Sequence, residues 1–437
     1  MDTNVDTALE GIKEEIIKFR RDFHKYPEAA WGEFRTASLI IKRLKELGFE
    51  VLYGKDIINE KYRMNLPSKK ELRQNFKRAL EQGGIPEYME NMKGGFTSVC
   101  GILKNGEGPT IALRFDIDAV KNNECEEDDH KPFKFGFSSV NKGIMHGCGH
   151  DGHISIGLGV SEIISRFKNF KGTLKIIFQA AEEGVSGARS IAESGILDDV
   201  DYIVSGHIGI KARKSGKIIC GTDGFFATSK INAEFKGKSA HAGVAPEKGH
   251  NALLSASTAV LNLDAIPRNS EGVTRINVGK LIAGSGRNVV PGRAFMEIET
   301  RGETTELNKY MEDYANRILE SSAMMHDTDV EIKCVGKSIN ADSDKELIDF
   351  AVNIAKSIKD FDEVIKKASF GASEDICYMM KRVQDNGGKA LYMMFGTELK
   401  GEHHSVRFDF NEEDMFKAIK TYLNIVEKLS KNYKKIS

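Results

Sequence analysis

The spacing of apolar and polar positions changes several times along the chain, and each change marks an element. Leu9 to Lys25 and Arg35 to Leu47 repeat with helical period, and Gly48 closes the second helix. Phe49 to Leu52 reads as a strand. Lys55 to Gly95 is rich in Lys, Glu, Arg and Gln, with apolar residues at Leu72, Phe76, Leu80 and Met89. That composition reads as a helical insertion, or alternatively as a solvated surface excursion. Thr110–Phe115, Leu174–Phe178 and Tyr202–Ser205 are short apolar runs of the kind that form buried strands. Each is followed by polar residues: Asp116-Ile-Asp118, Gln179-Ala-Ala-Glu-Glu-Gly184 and Gly206-His207. In open α/β sheets the C-terminal edge of the strands is where ligands bind.

From about residue 222 the pattern becomes strand, helix, strand, strand, helix, strand: Ser229–Phe235, His250–Leu263, Val273–Gly279, Arg293–Thr300, Thr304–Met325 and Asp329–Val335. That order is the ferredoxin-like β-α-β-β-α-β layer. The α/β character returns with helices at Ser343–Ile358 and Ser373–Val383, a buried strand at Ala390–Phe395 and a closing helix at Asn411–Leu429. The expected fold is therefore α/β, with a mixed sheet flanked by helices and an inserted ferredoxin-like domain. The expected boundaries are 1–221 for the first part of the main domain, with the insertion at about 55–95. The inserted domain takes 222–335, and the main domain resumes over 336–437.

A length of 437 residues agrees with two domains, and 40% hydrophobic residues suffice for a core. The 63 basic and 64 acidic residues nearly cancel, which argues against a nucleic-acid or membrane-surface protein. No run reaches the length of a transmembrane helix. The N-terminus lacks the basic and apolar regions of a signal peptide. Six scattered cysteines show no disulfide framework, so a reducing cytoplasm is expected.

The chemistry concentrates in His146-Gly-Cys-Gly-His-Asp-Gly-His153. Cys148 and His150 are two apart, and in an extended backbone their side chains point the same way. A thiolate and an imidazole suit Zn, Mn, Co or Fe better than Mg or Ca. Three other points carry candidate ligands: Glu182 with Glu183, His207, and His403 with His404. Each is weak alone. Together they supply the five or six ligands of a two-metal site, with one carboxylate to spare. Hydrolysis needs such a carboxylate, to take a proton from the attacking water and return it to the leaving amine.

These residues carry a resemblance. Arg114-Phe-Asp-Ile-Asp-Ala119, His146 to His153, Ala181-Glu-Glu-Gly184, Gly206-His207, Gly237-Lys-Ser-Ala-His-Ala242, Asn288-Val-Val-Pro291 and His404 resemble the metal-dependent aminoacylase and carboxypeptidase family of amidohydrolases. The similar branch includes hippurate hydrolases and plant auxin-conjugate hydrolases. The resemblance implies a metallopeptidase-like catalytic domain and two divalent metal ions, Mn or Zn, per subunit. It assigns the ligands to Cys148, His150, Glu183, His207 and His404, with His403 the less favoured neighbour. Glu182 becomes the general base, and Asp116 the carboxylate behind the ligands. Arg114 stands where other branches place a ligating His. His146, Asp151 and His153 become supporting residues. The inserted domain becomes a lid and dimerisation domain. Its His241 reaches the partner's active site, and Asn288 holds the substrate or the developing oxyanion. Arg301, at the end of the following strand, and Arg287 become candidates for binding substrate carboxylates.

A narrower match rests on Arg63-Met-Asn-Leu-Pro67, Gly284-Ser-Gly-Arg-Asn-Val-Val-Pro291 and His403-His404 with Phe408-Asp-Phe410. It implies cleavage of p-aminobenzoyl-glutamate to p-aminobenzoate and glutamate. The alternative is a general N-acyl-amino-acid or hippurate-type hydrolase, and a non-catalytic binding subunit is a third reading. Either a homodimer or a complex with a sister subunit is implied, without nucleic acid or membrane.

Overall fold

Strands buried on both faces need apolar residues at nearly every position, and four segments meet that condition. In the computed structural model, which describes residues 3–432, these are Thr110–Asp116, Gly172–Gln179, Tyr202–Ile208 and Lys389–Phe395. They lie at the centre of an eight-stranded sheet. Thr110–Asp116 pairs in parallel with both Gly172–Gln179 and Tyr202–Ile208, and Lys389–Phe395 pairs in parallel with Tyr202–Ile208. Glu50–Tyr53 and Val99–Asn105 extend one side of the sheet and Lys217–Ile219 and Glu363–Ile365 the other, so the sheet is mixed. The parallel core places Asp116, Gln179 and His207 at one edge.

The His150–Phe167 helix is buried over most of its length. It packs so closely on the sheet that a Cβ at Gly157 would stand 2.7 Å from the Phe115 and Phe178 rings. The helical period of apolar residues runs over Ile154–Phe167, so this helix starts four residues before its pattern does. Periodicity is blind to its first turn because His150, Asp151 and His153 are polar yet buried. The first helical run also differs: it breaks at Ile12 into Thr3–Gly11 and Lys13–Lys25.

Residues 55–95 form short helical pieces, the longest being Lys69–Glu81, whose start is fixed by a reciprocal Ser68–Glu71 capping box. Met89 is fully buried, and Leu72 and Phe76 pack on the core, while Leu80 is exposed. The insertion is thus attached to the core along its length and is not a free excursion.

The chain divides into two units. One runs to Asp223 and resumes over Ala341–Phe370 and from Ile376 onward; the other comprises Gly224–Asn340 and Gly371–Asp375. The second unit is an antiparallel four-stranded sheet of Asp329–Ser338, Ala227–Lys236, Arg293–Gly302 and Thr274–Ala283, in that spatial order. Helices Ala252–Asp264 and Thr305–Met325 share its own core with that sheet. Burial alternates along Ala227–Lys236 and Arg293–Gly302, as it does when one face of a sheet is covered. Among the described residues no helix is long and apolar enough to cross a membrane.

Candidate metal centre and active site

Cys148 and His150 are not on an extended backbone. Gly149 between them has φ 95, and His150 is the first residue of a helix. The left-handed glycine turns the chain sharply, and a side chain there would be strained. The condition of an extended backbone is therefore not met, although Cys148 and His150 still share one cluster. The Sγ of Cys148, a ring nitrogen of His150 and a carboxylate oxygen of Glu183 lie within 4.8 Å of one another.

The His150 and His207 rings each have one nitrogen fixed by a carbonyl. His150 Nδ1 donates to the Asp118 carbonyl at 2.9 Å, which leaves Nε2 as the nitrogen that faces the cluster. That Nε2 is buried and has no hydrogen-bond partner. It lies 3.6 Å from Asp116, 3.7 Å from Glu183 and 3.9 Å from Glu182. His207 Nδ1 donates to the Ile208 carbonyl at 2.7 Å, leaving Nε2 3.5 Å from the Cys148 sulfur. Burial, then the neighbouring His153 and His403, hold His207 neutral, with its pKa well below the ordinary value. Burial also opposes a charge on His150, but Asp116, Asp118 and Glu183 around it raise its pKa to about 10. The pocket is therefore negative enough to favour a cation. His207 offers a lone pair, and His150 offers one when a cation displaces its Nε2 proton; with a thiol and a carboxylate they fit a divalent transition metal.

His153 clusters with His150 and His207 but is not free to ligate. Its Nδ1 donates to Asp116 at 2.5 Å and its Nε2 accepts the Ile208 N–H at 3.0 Å, so both nitrogens are used. Asp116 takes a second hydrogen bond from Arg114 Nη1 at 2.7 Å, and Arg114 Nε donates to Gln179. Burial opposes ionisation of Asp116, yet His150, His153 and Arg114 keep its carboxyl well below the usual range. Asp116 is thus an anion behind the candidate ligands, and Arg114 neutralises it in part.

Both C-terminal histidines come to the cluster, by different sides. His404 has φ 66 and places Nε2 3.1 Å from Glu183. Against the effect of burial, that hydrogen bond and the charge of His150 lower the Glu183 pKa. His403 groups instead with Cys148 and His207, while its Nε2 donates to the Ile208 carbonyl at 3.2 Å. Adjacency in sequence does not distinguish them, because only the backbone turn at His404 sends the two rings apart.

The Glu182–Glu183 turn is held by two buried carboxylates. Asp118 accepts the Glu182 N–H at 3.0 Å and the Glu183 N–H at 3.1 Å. Glu33 accepts the Ala181 N–H at 3.0 Å and the Thr97 hydroxyl at 2.5 Å. Ala181, at φ 60, is in a conformation that an alanine rarely adopts. The Asp-Ile-Asp repeat was the available signal for Asp118. Nothing local in the sequence marked Glu33.

Asp151 looks away from the ligands, into a buried charge cluster. It receives the Arg20 guanidinium at 2.8 Å and His24 Nδ1 at 2.8 Å. Arg20 also meets Asp409 at 2.6 Å and Glu412 at 3.3 Å, and His24 Nε2 meets Glu124 at 2.8 Å. The Lys13–Lys25 helix is thereby tied to the ligand-bearing helix and to the segment after His404. His146 is buried beside this cluster, and neither of its ring nitrogens has a partner.

The remaining candidates belong to the second unit. His241 and Val289 form an isolated bridge, and the Ala242 N–H donates to the Asn288 carbonyl at 3.0 Å, so His241 and Asn288 are neighbours. His241, Arg287 and Asn288 are exposed. Arg301 differs, because its guanidinium is already engaged by both Glu299 oxygens, at 2.9 and 3.0 Å. It lines a cavity of about 370 Å³ with Arg275, Asn277 and Phe226.

A thiol, imidazoles and carboxylates converging on one edge of a mixed α/β sheet define a metal-dependent hydrolase, and the chain belongs to peptidase family M20/M25/M40, whose model matches residues 112–428. It is 41% identical, over 96% of both chains, to one of the subunits of p-aminobenzoyl-glutamate hydrolase from Escherichia coli (strain K12). It is 42% identical to the indole-3-acetyl-aspartic acid hydrolase of Enterobacter agglomerans, over 93% of this chain and 94% of that one. The crystal structure of the aminobenzoyl-glutamate utilization protein from Klebsiella pneumoniae matches with a TM-score of 0.86 and 35% identity, covering 98% of this chain and all of that one.

Proposed function

We propose that this chain hydrolyses p-aminobenzoyl-glutamate to p-aminobenzoate and glutamate. The observation that carries the reading is full-length similarity to a hydrolase of that name, with every candidate ligand and Glu182 present. A second reading, an aspartate conjugate of an aromatic acid, is favoured by the equal similarity to the indole-3-acetyl-aspartic acid hydrolase. Both substrates join an aromatic acyl group to an acidic amino acid.

In this reading Cys148, His150, Glu183, His207 and His404 hold two divalent ions, Mn or Zn. When bound, these supply Lewis acidity toward the amide carbonyl and make the attacking water more acidic. Glu182 takes the proton of that water and delivers it to the leaving nitrogen. Asp116 keeps the ligands oriented through His153 and its charge. His241 and Asn288 hydrogen-bond the developing oxyanion. Arg287, exposed and without a partner among the described residues, meets a substrate carboxylate. Arg301 does so only by sharing its guanidinium between Glu299 and the substrate. The second unit acts as a ferredoxin-like lid and dimerisation domain, with residues 222–335 as its core. The partner is a second copy or a sister subunit. The latter is supported by the name of the Escherichia coli relative, which makes that protein one subunit of its hydrolase. Six scattered cysteines without the spacing of a disulfide framework favour the cytoplasm.

The test is a substrate panel with the purified chain and Mn or Zn. The glutamate conjugate of p-aminobenzoate is expected to be cleaved with the highest kcat/KM, and chelation to abolish cleavage. Faster cleavage of hippurate or of p-aminobenzoyl-glycine would replace this reading with a general acyl-amino-acid hydrolase.

A further inference from the structure

The Asn59–Asn65 stretch of the insertion runs antiparallel to the chain that leaves the Glu182–Glu183 turn. The Asn59 N–H donates to the Ser190 carbonyl at 2.8 Å, and its side-chain amide donates to the Glu193 carbonyl at 2.9 Å. The Tyr62 ring takes the Arg189 guanidinium at 4.8 Å. Three residues further on, Asn65 Nδ2 lies 4.0 Å from where a Cβ on Gly184 would stand. The contacts thus step back from residue 193 to residue 184, and end one residue from Glu183.

That end is fixed. The Met64 carbonyl accepts the Trp31 indole N–H at 2.8 Å. Arg63 sits 3.7 Å over the Phe96 ring, donates to the Gly94 carbonyl at 2.8 Å and reaches Glu60 at 3.1 Å. Asn65 itself is exposed and left-handed, at φ 51. Glycine would serve that backbone with less strain. What asparagine adds is a side-chain amide, and this amide has no hydrogen-bond partner among the described residues. A held backbone presenting an unengaged amide beside the candidate catalytic turn has the makings of a substrate-reading group.

We propose that Asn65 is a specificity-determining residue whose side-chain N–H donates to the second carboxylate of an acidic amino-acid leaving group. The inference rests on the function proposed above. A neutral amide suits this place, since it offers a donor to an anion without pairing with Glu182 or Glu183. The insertion would then shape substrate choice from outside the metal-ligand set.

Two variants test it. Asn65→Gly removes the side chain and keeps the left-handed backbone; Asn65→Asp keeps the shape and repels a carboxylate. The readout is the ratio of kcat/KM for p-aminobenzoyl-glutamate over p-aminobenzoyl-glycine, with benzoyl-glutamate as a third substrate and thermal unfolding as the check on folding. Asn65→Gly should lower the ratio about ten-fold, the scale of one hydrogen bond to a charged group, and Asn65→Asp should lower it further. The glycine conjugate should be cleaved nearly as before. A wild type that prefers the glutamate conjugate, with variants that keep that preference, overturns this inference alone. So does a loss that follows the aryl amine, seen as a changed ratio between p-aminobenzoyl- and benzoyl-glutamate. A wild type with no preference for the glutamate conjugate removes the proposed function, and this inference with it.

Discussion

The Cys148–His207 cluster and the His241–Asn288 loops are built on opposite principles. Around the cluster the groups behind the candidate ligands are buried and engaged: His153 by Asp116 and Ile208, Arg114 by Asp116 and Gln179, and the Glu182 turn by Asp118 and Glu33. In the second unit His241, Arg287 and Asn288 are exposed, and the two loops are joined through their backbones. The first arrangement removes freedom before any ligand arrives, which catalytic groups need because misplacement is costly to the rate. The second leaves side chains ready to meet a partner of variable shape. The difference predicts that substitutions in the first region damage rate or stability, and those in the second damage activity or substrate choice without harming the fold.

The sharpest break would come at Glu182. Glu182→Gln keeps the shape but cannot accept a proton at neutral pH. The rate is expected to fall by roughly 10²-fold or more, with metal content and substrate binding retained. Loss of metal in place of rate would exchange the roles of Glu182 and Glu183.

Stability comes next, through the charge cluster behind His150. His24 is buried, yet Glu124 and Asp151 raise its pKa from 6.5 to about 9. A raised folded pKa means that the contribution is complete below about pH 6.5 and is lost as pH climbs through 9. That gap corresponds to about 3 kcal/mol. Glu124 behaves oppositely. It is held at about 2 against burial by His24 and His130, so its contribution is complete above about pH 4.5 and fades as pH falls toward 2. Urea unfolding should therefore show a plateau from about pH 4.5 to 6.5, with a decline on the alkaline side. His24→Gln should flatten that alkaline decline. An unchanged alkaline limb in the variant would place the linkage elsewhere.

The smallest effect on the fold should come from the exposed loops. His241→Ala and Arg287→Ala are expected to change stability by no more than about 0.5 kcal/mol. Arg287→Ala should nevertheless lower kcat/KM for the glutamate conjugate more than for the glycine conjugate. If His241 serves the partner's site, mixing His241→Ala with Glu182→Gln should recover activity, since one site of each hybrid keeps both groups. A large fall in melting temperature for either loop variant would erase the contrast between the two regions.

Much of this was legible from local pattern. Runs of apolar residues mark the buried strands because a two-sided sheet admits little else. The polar residues after three of those runs mark the edge where the cluster forms, and the helical period marks most helices. The insertion was recognisable from its composition and from Arg63-Met-Asn-Leu-Pro67, but its course toward Gly184 was not.

Tertiary structure decided the rest, because each remaining question turns on a backbone kink or on a partner far away in the chain. Gly149, Ala181 and His404 adopt positive φ, and these three turns aim Cys148 and His150, Glu182 and Glu183, and the two C-terminal histidines. No hydrophobic period encodes such a turn. His153 is excluded as a ligand only because Asp116 and Ile208 occupy both its nitrogens, and Arg301 is compromised only because Glu299 stands beside it. Glu33 reaches Ala181 across 148 residues, and Arg20 reaches Asp409 across 389. The sequence by itself determined which residue types are present and on which elements they ride. Which lone pairs stay open to a metal or a substrate was decided by folding, since a buried polar atom takes the nearest partner that packing supplies.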